Sequence, residues 1–221
     1  MLVTFLCPSR GRPISLAKSI ASIRDTATDP NCFEVLVFLD SDDPSLQEYR
    51  GTIHPKATYV IGERVGYSRL HEVIGDALVP LAKGTWFFVW SDDAYMQRPN
   101  WDATLSAMPV DCVINPKTNH DGWASGLNVF PIVPNTWVST AGWARNGAND
   151  TWWQVIGDLL GRHHPTQEIE VLHDRSDLTG NHDDATRAGN NYDSNTFFSL
   201  DNYARMGFAA GRIHQQLLLG R

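Results

Sequence analysis

With 221 residues, 42% hydrophobic and 19% charged, the chain has the apolar content of an ordinary globular protein with one full core. A formal charge of −7 excludes a dedicated surface for nucleic-acid backbone, which needs clustered Lys and Arg, although a local basic groove stays open. The three cysteines, Cys7, Cys32 and Cys112, are widely spaced and form no CxxC pattern, so they read as buried thiols in a reducing compartment.

The first half alternates strand and helix signals. Leu2–Cys7 reads as a first strand and not as a signal peptide, because Pro8 closes the apolar stretch. Pro13 opens a helix to about Asp25, with Ile14, Ala17, Ile20, Ala21 and Ile23 as its apolar stripe. Phe33–Leu39 is a second strand ending in Asp40-Ser41-Asp42-Asp43-Pro44, where Asp42 and Asp43 have an alternative as an Asx turn. A short helix near 45–50 leads to a strand at Thr58–Ile61 and a long helix over Tyr67–Ala82, which Gly84 stops. Thr85–Trp90 is the most apolar run and reads as a strand buried on both faces. The second half is less regular: a helix at Asn100–Met108, strands at Cys112–Asn115 and Leu127–Val133, and a short helix from Pro134. A helix at Thr151–Leu160 behind the capping cluster Asn149-Asp150-Thr151 precedes a strand at Glu168–Leu172 that delivers His173. The polar stretch 174–199 reads as a long loop and Leu200–Leu219 as a terminal helix. Such alternation predicts an α/β, Rossmann-like, doubly wound and mostly parallel sheet with an irregular second half. No segment is long enough to span a membrane, and the cytoplasm is the expected compartment.

The chemistry concentrates at Ser91-Asp92-Asp93, placed at the carboxyl end of the buried run, where open α/β sheets put their ligands. Adjacent carboxylates repel, and a cation between them relieves the repulsion. Mg²⁺ or Mn²⁺ takes such oxygens together with substrate phosphates; the alternative is a plain polar turn. Eight tryptophans, five of them (Trp123, Trp137, Trp143, Trp152, Trp153) outside the obvious strands, suit either a sugar-binding face or the core.

In order, the strand before Pro8-Ser9-Arg10-Gly11-Arg12-Pro13, the strand before Asp40, the helix from Gly66-Tyr67, Asp92-Asp93, Asn149-Asp150 and His173 resemble GT-A glycosyltransferases. The similarity is greatest to the inverting family 2 enzymes and their short phage-encoded relatives, and covers about residues 1–175. It implies one GT-A domain, with a nucleotide-binding half over about 1–95, an acceptor half over about 96–175, and a loop and helix over about 176–221. It implies that Pro8, Ser9 and Arg10 border the base and ribose, that Asp40 accepts from the base, and that Tyr67 and Arg69 run past the nucleotide. Arg69 also has a reading as a plain surface charge. It further implies Asp93 as a direct metal ligand, Asp92 toward ribose or metal-bound water, and His173 as a second ligand favouring Mn²⁺, with His163, His164 and His182 as competitors. Asp150 takes the place of the catalytic base, with Asn149 where the family has Glu. The tryptophans would line the acceptor side, and Arg175 and Arg187 would reach the diphosphate from a closing loop, or else lie on a passive surface excursion. Asp183-Asp184 is a second acidic pair without a buried strand to hold it. The function implied is metal-dependent, inverting transfer from a nucleotide-diphosphate sugar, UDP-sugar being the expected donor. The acceptor is left open among a glycan, a protein, a small molecule and a modified DNA base. The alternatives are a non-catalytic nucleotide- or glycan-binding module and a sugar nucleotidylyltransferase.

Overall fold

The computed structural model describes residues 2–51, 54–66, 69–144, 149–179 and 199–220. Among these, eight strands form one mixed sheet in the order β3-β2-β1-β4-β7-β6-β8-β5. Strand β1 (Val3–Ser9) pairs in parallel with β2 (Phe33–Asp40) and β4 (Trp86–Val89), and β2 pairs in parallel with β3 (Ala57–Gly62). Helix α1 (Pro13–Thr26) and α2 (Leu46–Gly51) supply crossovers in this half. Proline inside a central strand is normally excluded because it cannot donate. Pro8 escapes because the β1–β4 register ends at Leu6↔Val89, leaving that side of β1 open.

The predicted helix over Tyr67–Ala82 is composite in its described part. It runs from α3 (Leu70–Glu72) through a π-helical stretch, Val73–Leu78, into a 3-10 turn, Val79–Leu81. Pro80 has no N–H for an α-helical bond, so the last turn tightens instead. Tyr67 lies outside the described residues.

Beyond β4 the sheet departs from the predicted pattern in three places. Strand β5 (Ala94–Met96), too short to show a period, was not anticipated. The strand expected over Leu127–Val133 is confined to β7 (Ile132–Pro134), antiparallel to β4. Before it Gly126, at φ +113, closes a turn, and Asn128 turns its amide into the interior to reach the Ile114 carbonyl. Strand β8 (His163–His173) starts five residues before the expected Glu168, its start disguised by Pro165. It follows β6 (Val113–Thr118) in parallel, with a slip that sets Pro116 against Thr166 but Lys117 against Glu170. Helices α4 (Trp101–Ser106), α5 (Asn135–Ala141), α6 (Asn149–Leu159), the short α7 (Ser176–Thr179) and α8 (Leu200–Leu218) complete the described elements.

Alternation along the central strands divides the core into two layers. Phe5, Phe33, Phe88, Trp90 and Trp101 pack under α1 and α4. Phe5 stacks on Phe88 with centroids 4.9 Å apart and meets the edges of Trp90 and Trp101. The indole N–H of Trp90 donates to Ser19 Oγ at 2.8 Å, and that of Trp101 to the Ile23 carbonyl at 3.0 Å, so neither ring strands its donor. On the opposite face Leu6, Leu36, Phe38 and Phe87 pack against the π-helical stretch and against α5, α6 and α8. This second layer corrects the reading of the tryptophans as an acceptor lining. Trp137, Trp143, Trp152 and Trp153 are all buried there, and Trp123 alone of the five keeps partial exposure. Burying an aromatic ring contributes about 1.5–3 kcal/mol, and the core takes that gain. The three cysteines are buried free thiols, as expected. Among the described residues no helix is long and apolar enough to cross a membrane.

Candidate active site

The carboxyl ends of β1 and β4 lie side by side, so Ser9–Arg12 meets Ser91–Asp93 by direct consequence of the parallel register. Ser9 Oγ donates to Asp92 Oδ2 at 2.6 Å and contacts the Tyr49 hydroxyl at 2.8 Å. The Arg12 backbone N–H donates to the same tyrosine oxygen at 2.9 Å. Gly11, at φ +68, makes the turn and gives its N–H to Asp43 Oδ2 at 2.8 Å. Where the sequence suggested a divalent ion between the paired carboxylates, a cation of the chain itself stands. Arg12 Nη1 donates to Asp92 Oδ1 at 3.0 Å and to Asp93 Oδ2 at 2.9 Å.

The other half of the site comes from the sheet edge. Antiparallel pairing of β5 with β8 sets Ala94 opposite His173, and the Asp174 N–H donates to the Asp93 carbonyl at 2.8 Å. His173 Nε2 thereby lies 3.2 Å from Asp93 Oδ1, which also accepts from Ser91 Oγ. Two neighbours fix the imidazole. Phe130 meets its ring edge-on at 4.9 Å, and His120 Nε2 is 2.8 Å from its Nδ1. Asn119 clasps the His173 backbone, accepting from its N–H at 2.8 Å and donating to its carbonyl at 3.1 Å. The competitors His163 and His164 sit at the other end of β8, facing Val113 and Ile114, and His182 is outside the described residues.

The two aspartates differ in charge behaviour. Burial pushes Asp92 up to about 6, with Arg12 and Ser9 opposing and Asp93 adding to the rise. Burial acts on Asp93 too, but the hydrogen bond and charge of His173, with Ser91 and Arg12, outweigh it and draw it down to about 2. Asp93 is therefore the standing anion of the pair. Asp93 and His173 present a hard oxygen beside an imidazole nitrogen, a donor set that suits Mn²⁺. Among the described residues no three His, Cys, Asp or Glu side chains converge as a ligand shell. The two side chains thus fit an ion that draws its remaining ligands from phosphate and water.

The remaining predicted residues fall in three places. Arg10 Nη1 donates to Asp40 Oδ2 at 3.0 Å and also to Asp42, while Arg64 Nε stands 4.0 Å from Asp40. Asp40, the last residue of β2, is thus already paired with cations. Asp43 is the turn residue, accepting from the Ser45 N–H at 2.8 Å ahead of α2. Arg69 is exposed and forms a two-point pair with Glu72 on its own helix. Asp150 stands half-buried in the first turn of α6, accepting from the Thr151 N–H at 2.7 Å, and burial raises its pKa. Its neighbour Asn149 is not a spare acid but the acceptor for the Trp143 indole N–H at 2.7 Å. Arg187 and Asp183-Asp184 are outside the described residues. Sequence reasoning did not pick Arg12, His120, Asn119 or Tyr49. Arg12 was legible as the second basic residue of the Ser9–Pro13 turn, whereas the others become visible only through pairing.

The mixed sheet and its helices have the GT-A fold of glycosyltransferases. Among solved structures the chain is similar to TarS of S. aureus, at TM-score 0.58 and 12% identity over 80% of this chain and 37% of that one. It is similar to TarS 1–349 in complex with UDP at TM-score 0.58 and 13% identity, over 78% of this chain and 60% of that one. It is also similar to the mannosyltransferase PcManGT from Pyrobaculum calidifontis in complex with GDP-Man and Mn²⁺. There the TM-score is 0.61 and identity 14%, over 99% of this chain and 76% of that one. The chain thus spans less than two thirds of either TarS chain. No protein-family model matches the sequence, and no curated protein matches it.

Proposed function

We propose that this protein is a glycosyltransferase that moves a sugar from a nucleoside-diphosphate sugar, a UDP-sugar being the expected donor, to an acceptor hydroxyl with inversion. The observation that carries the reading is the buried Asp92-Asp93 pair with His173, set at the carboxyl ends of β1 and β4 in a GT-A fold. The neighbours of this fold that hold UDP, UDP-GlcNAc or GDP-Man with Mn²⁺ support the donor class.

In this reading Pro8, Ser9, Arg10 and Asp40 border the base and ribose, with Tyr67 and Arg69 along the nucleotide's flank. Base recognition has to compete with the Arg10 pairing for the Asp40 carboxylate. Asp93 and His173 would hold a divalent ion, Mn²⁺ or Mg²⁺, whose contribution when bound is to neutralise the departing diphosphate. Asp92 stays on Ser9 and turns toward ribose or water. Asp150 accepts the proton of the acceptor hydroxyl while that oxygen bonds to the anomeric carbon and the nucleoside diphosphate leaves with the bonding electrons. The raised pKa of a half-buried carboxylate makes it a better base than a solvated one. Displacement from the face opposite the leaving group inverts the anomeric centre.

Two other readings are weaker. A nucleotidylyltransferase needs backbone N–H groups free to cradle a triphosphate after β1, and here the loop's glycine gives its N–H to Asp43. A non-catalytic module would leave the buried Asp92-Asp93-His173 cluster without a chemical role. The test is incubation with a panel of UDP- and GDP-sugars and Mn²⁺, following nucleoside diphosphate release to water. Release from one donor that is lost in Asp93→Ala supports transfer. Tight donor binding without release, with or without candidate acceptors, would leave the binding module.

A further inference from the structure

We infer that Arg12 is the resident cation of the Asp92-Asp93 pair and competes with the divalent ion for it. This rests on the metal-binding part of the proposed function and goes beyond it, because it assigns the chain its own occupant of the site. Arg12 Nη1 bridges one oxygen of each carboxylate, at 3.0 and 2.9 Å, and its side chain is only 13% exposed. Every oxygen of the pair thereby has a donor: Ser9 and Arg12 on Asp92, and His173, Ser91 and Arg12 on Asp93. Of the two Asp93 oxygens, Oδ1 already meets both Ser91 and His173, so a divalent ion approaches through Oδ2, the oxygen that Arg12 occupies. Arg12 carries the like charge, so it is the group an incoming ion repels most.

The exchange requires little of the backbone. Arg12 sits at the cap position of α1, its N–H held by the Tyr49 hydroxyl at 2.9 Å and its carbonyl by the Leu16 N–H at 3.0 Å. Rotation about side-chain bonds is enough to withdraw the guanidinium while the loop stays in place. A long side chain swung from between the carboxylates remains on the rim of the same site, where the donor diphosphate offers it new oxygens. Ion and nucleotide then bind better together than either does alone, since the nucleotide rewards the arginine for leaving the carboxylates.

The test uses the full chain, Mn²⁺ as the sole ligand, and free Mn²⁺ read by electron paramagnetic resonance, so no turnover is involved. Arg12→Met should bind Mn²⁺ about 10- to 100-fold more tightly than the parent, the worth of one charge-assisted hydrogen bond removed from competition. Arg12→Lys, which keeps the charge on a shorter side chain, should fall between. If Arg12→Met is unstable in EDTA, its melting temperature should recover on adding Mn²⁺ far more than the parent's rises, which supports the same conclusion. Equal Mn²⁺ affinity in parent and Arg12→Met, with binding lost in Asp93→Ala, would overturn the competition and leave the metal site standing. Absence of Mn²⁺ binding in every variant would overturn both.

Discussion

Asp102 offers a measurable separation of fold from site. It lies in the first turn of α4, 5% exposed, and accepts from the backbone N–H groups of Thr28 at 2.8 Å and Asp29 at 2.9 Å. These bonds fasten the α1–β2 connection at the end of the sheet away from the carboxylate pair. Replacing it with Asn keeps the shape but leaves one acceptor oxygen for two donors and turns an NH₂ toward the other N–H. A hydrogen bond to a charged group contributes about 1.5–3 kcal/mol; one is lost and the other loses its charge, so Asp102→Asn should cost about 2–4 kcal/mol. Its carboxyl is affected first by burial, which raises the pKa, but the N–H donors of Thr28, Asp29 and Ala103 outweigh that and hold it below its ordinary value. A depressed acid contributes its full stability above the unfolded value, near about 4, and loses it as pH falls through the folded value. The gap between parent and variant should therefore be widest near neutrality and shrink in acid. Urea unfolding at stepped pH reads this directly, and UDP affinity at neutral pH should not change. A gap under about 0.5 kcal/mol, the ordinary range of a surface change, or one that widens as pH falls, would refute the reasoning.

Three further outcomes are expected. Asp150→Asn keeps the helix-start hydrogen bond but cannot take a proton, so donor affinity should persist while transfer falls by roughly 10²–10⁴-fold; calorimetry and product assay separate the two. Asp93→Ala should abolish any difference in UDP affinity between Mn²⁺ and EDTA in calorimetric titration, whereas a surviving difference would move the ion elsewhere. Gly84→Ala should destabilise by about 1–3 kcal/mol or more, because its Cβ would stand 2.6 Å from the Thr4 nitrogen and 2.7 Å from the Trp86 carbonyl oxygen, neither able to give way. Urea midpoints near those of the parent would show that the β1–β4 junction relaxes.

Where a signal in the chain is local, it was legible. Strands β1 to β4 announce themselves by apolar runs, α1 by Pro13, and the carboxylate pair by its position behind such a run, but the stripe read for α1 was partly wrong: Ile14 is exposed, and Leu16 and Ser19 join Ile20 and Ile23 on the buried face. What pairing at a distance decides was not. Three residues of β5 carry no period, and Pro165 together with the slip at Pro116 hides the start of β8. The tryptophans misled for a related reason: an indole suits a sugar face and a core equally, and only the packing of α5, α6 and α8 decided for the core. Arg12 shows the same ambiguity in charge, since a basic residue in a phosphate-side loop also serves as a counter-ion to neighbouring acids.

The β5–β8 ribbon has a bearing on how the molecule folds. Asp93 and His173 are 80 residues apart in the chain, and the strands that join them meet at the outermost position of the sheet, three residues deep. Closing so long a loop is entropically slow, so this pairing belongs late in assembly, after the central parallel strands have formed. The same edge is the cheapest to open, by fraying and not by global unfolding. Amide exchange at Tyr95 and Met96 should accordingly outpace that at Phe5 and Val35, making the Asp93–His173 junction a region of low local stability resting on a slow-exchanging aromatic core.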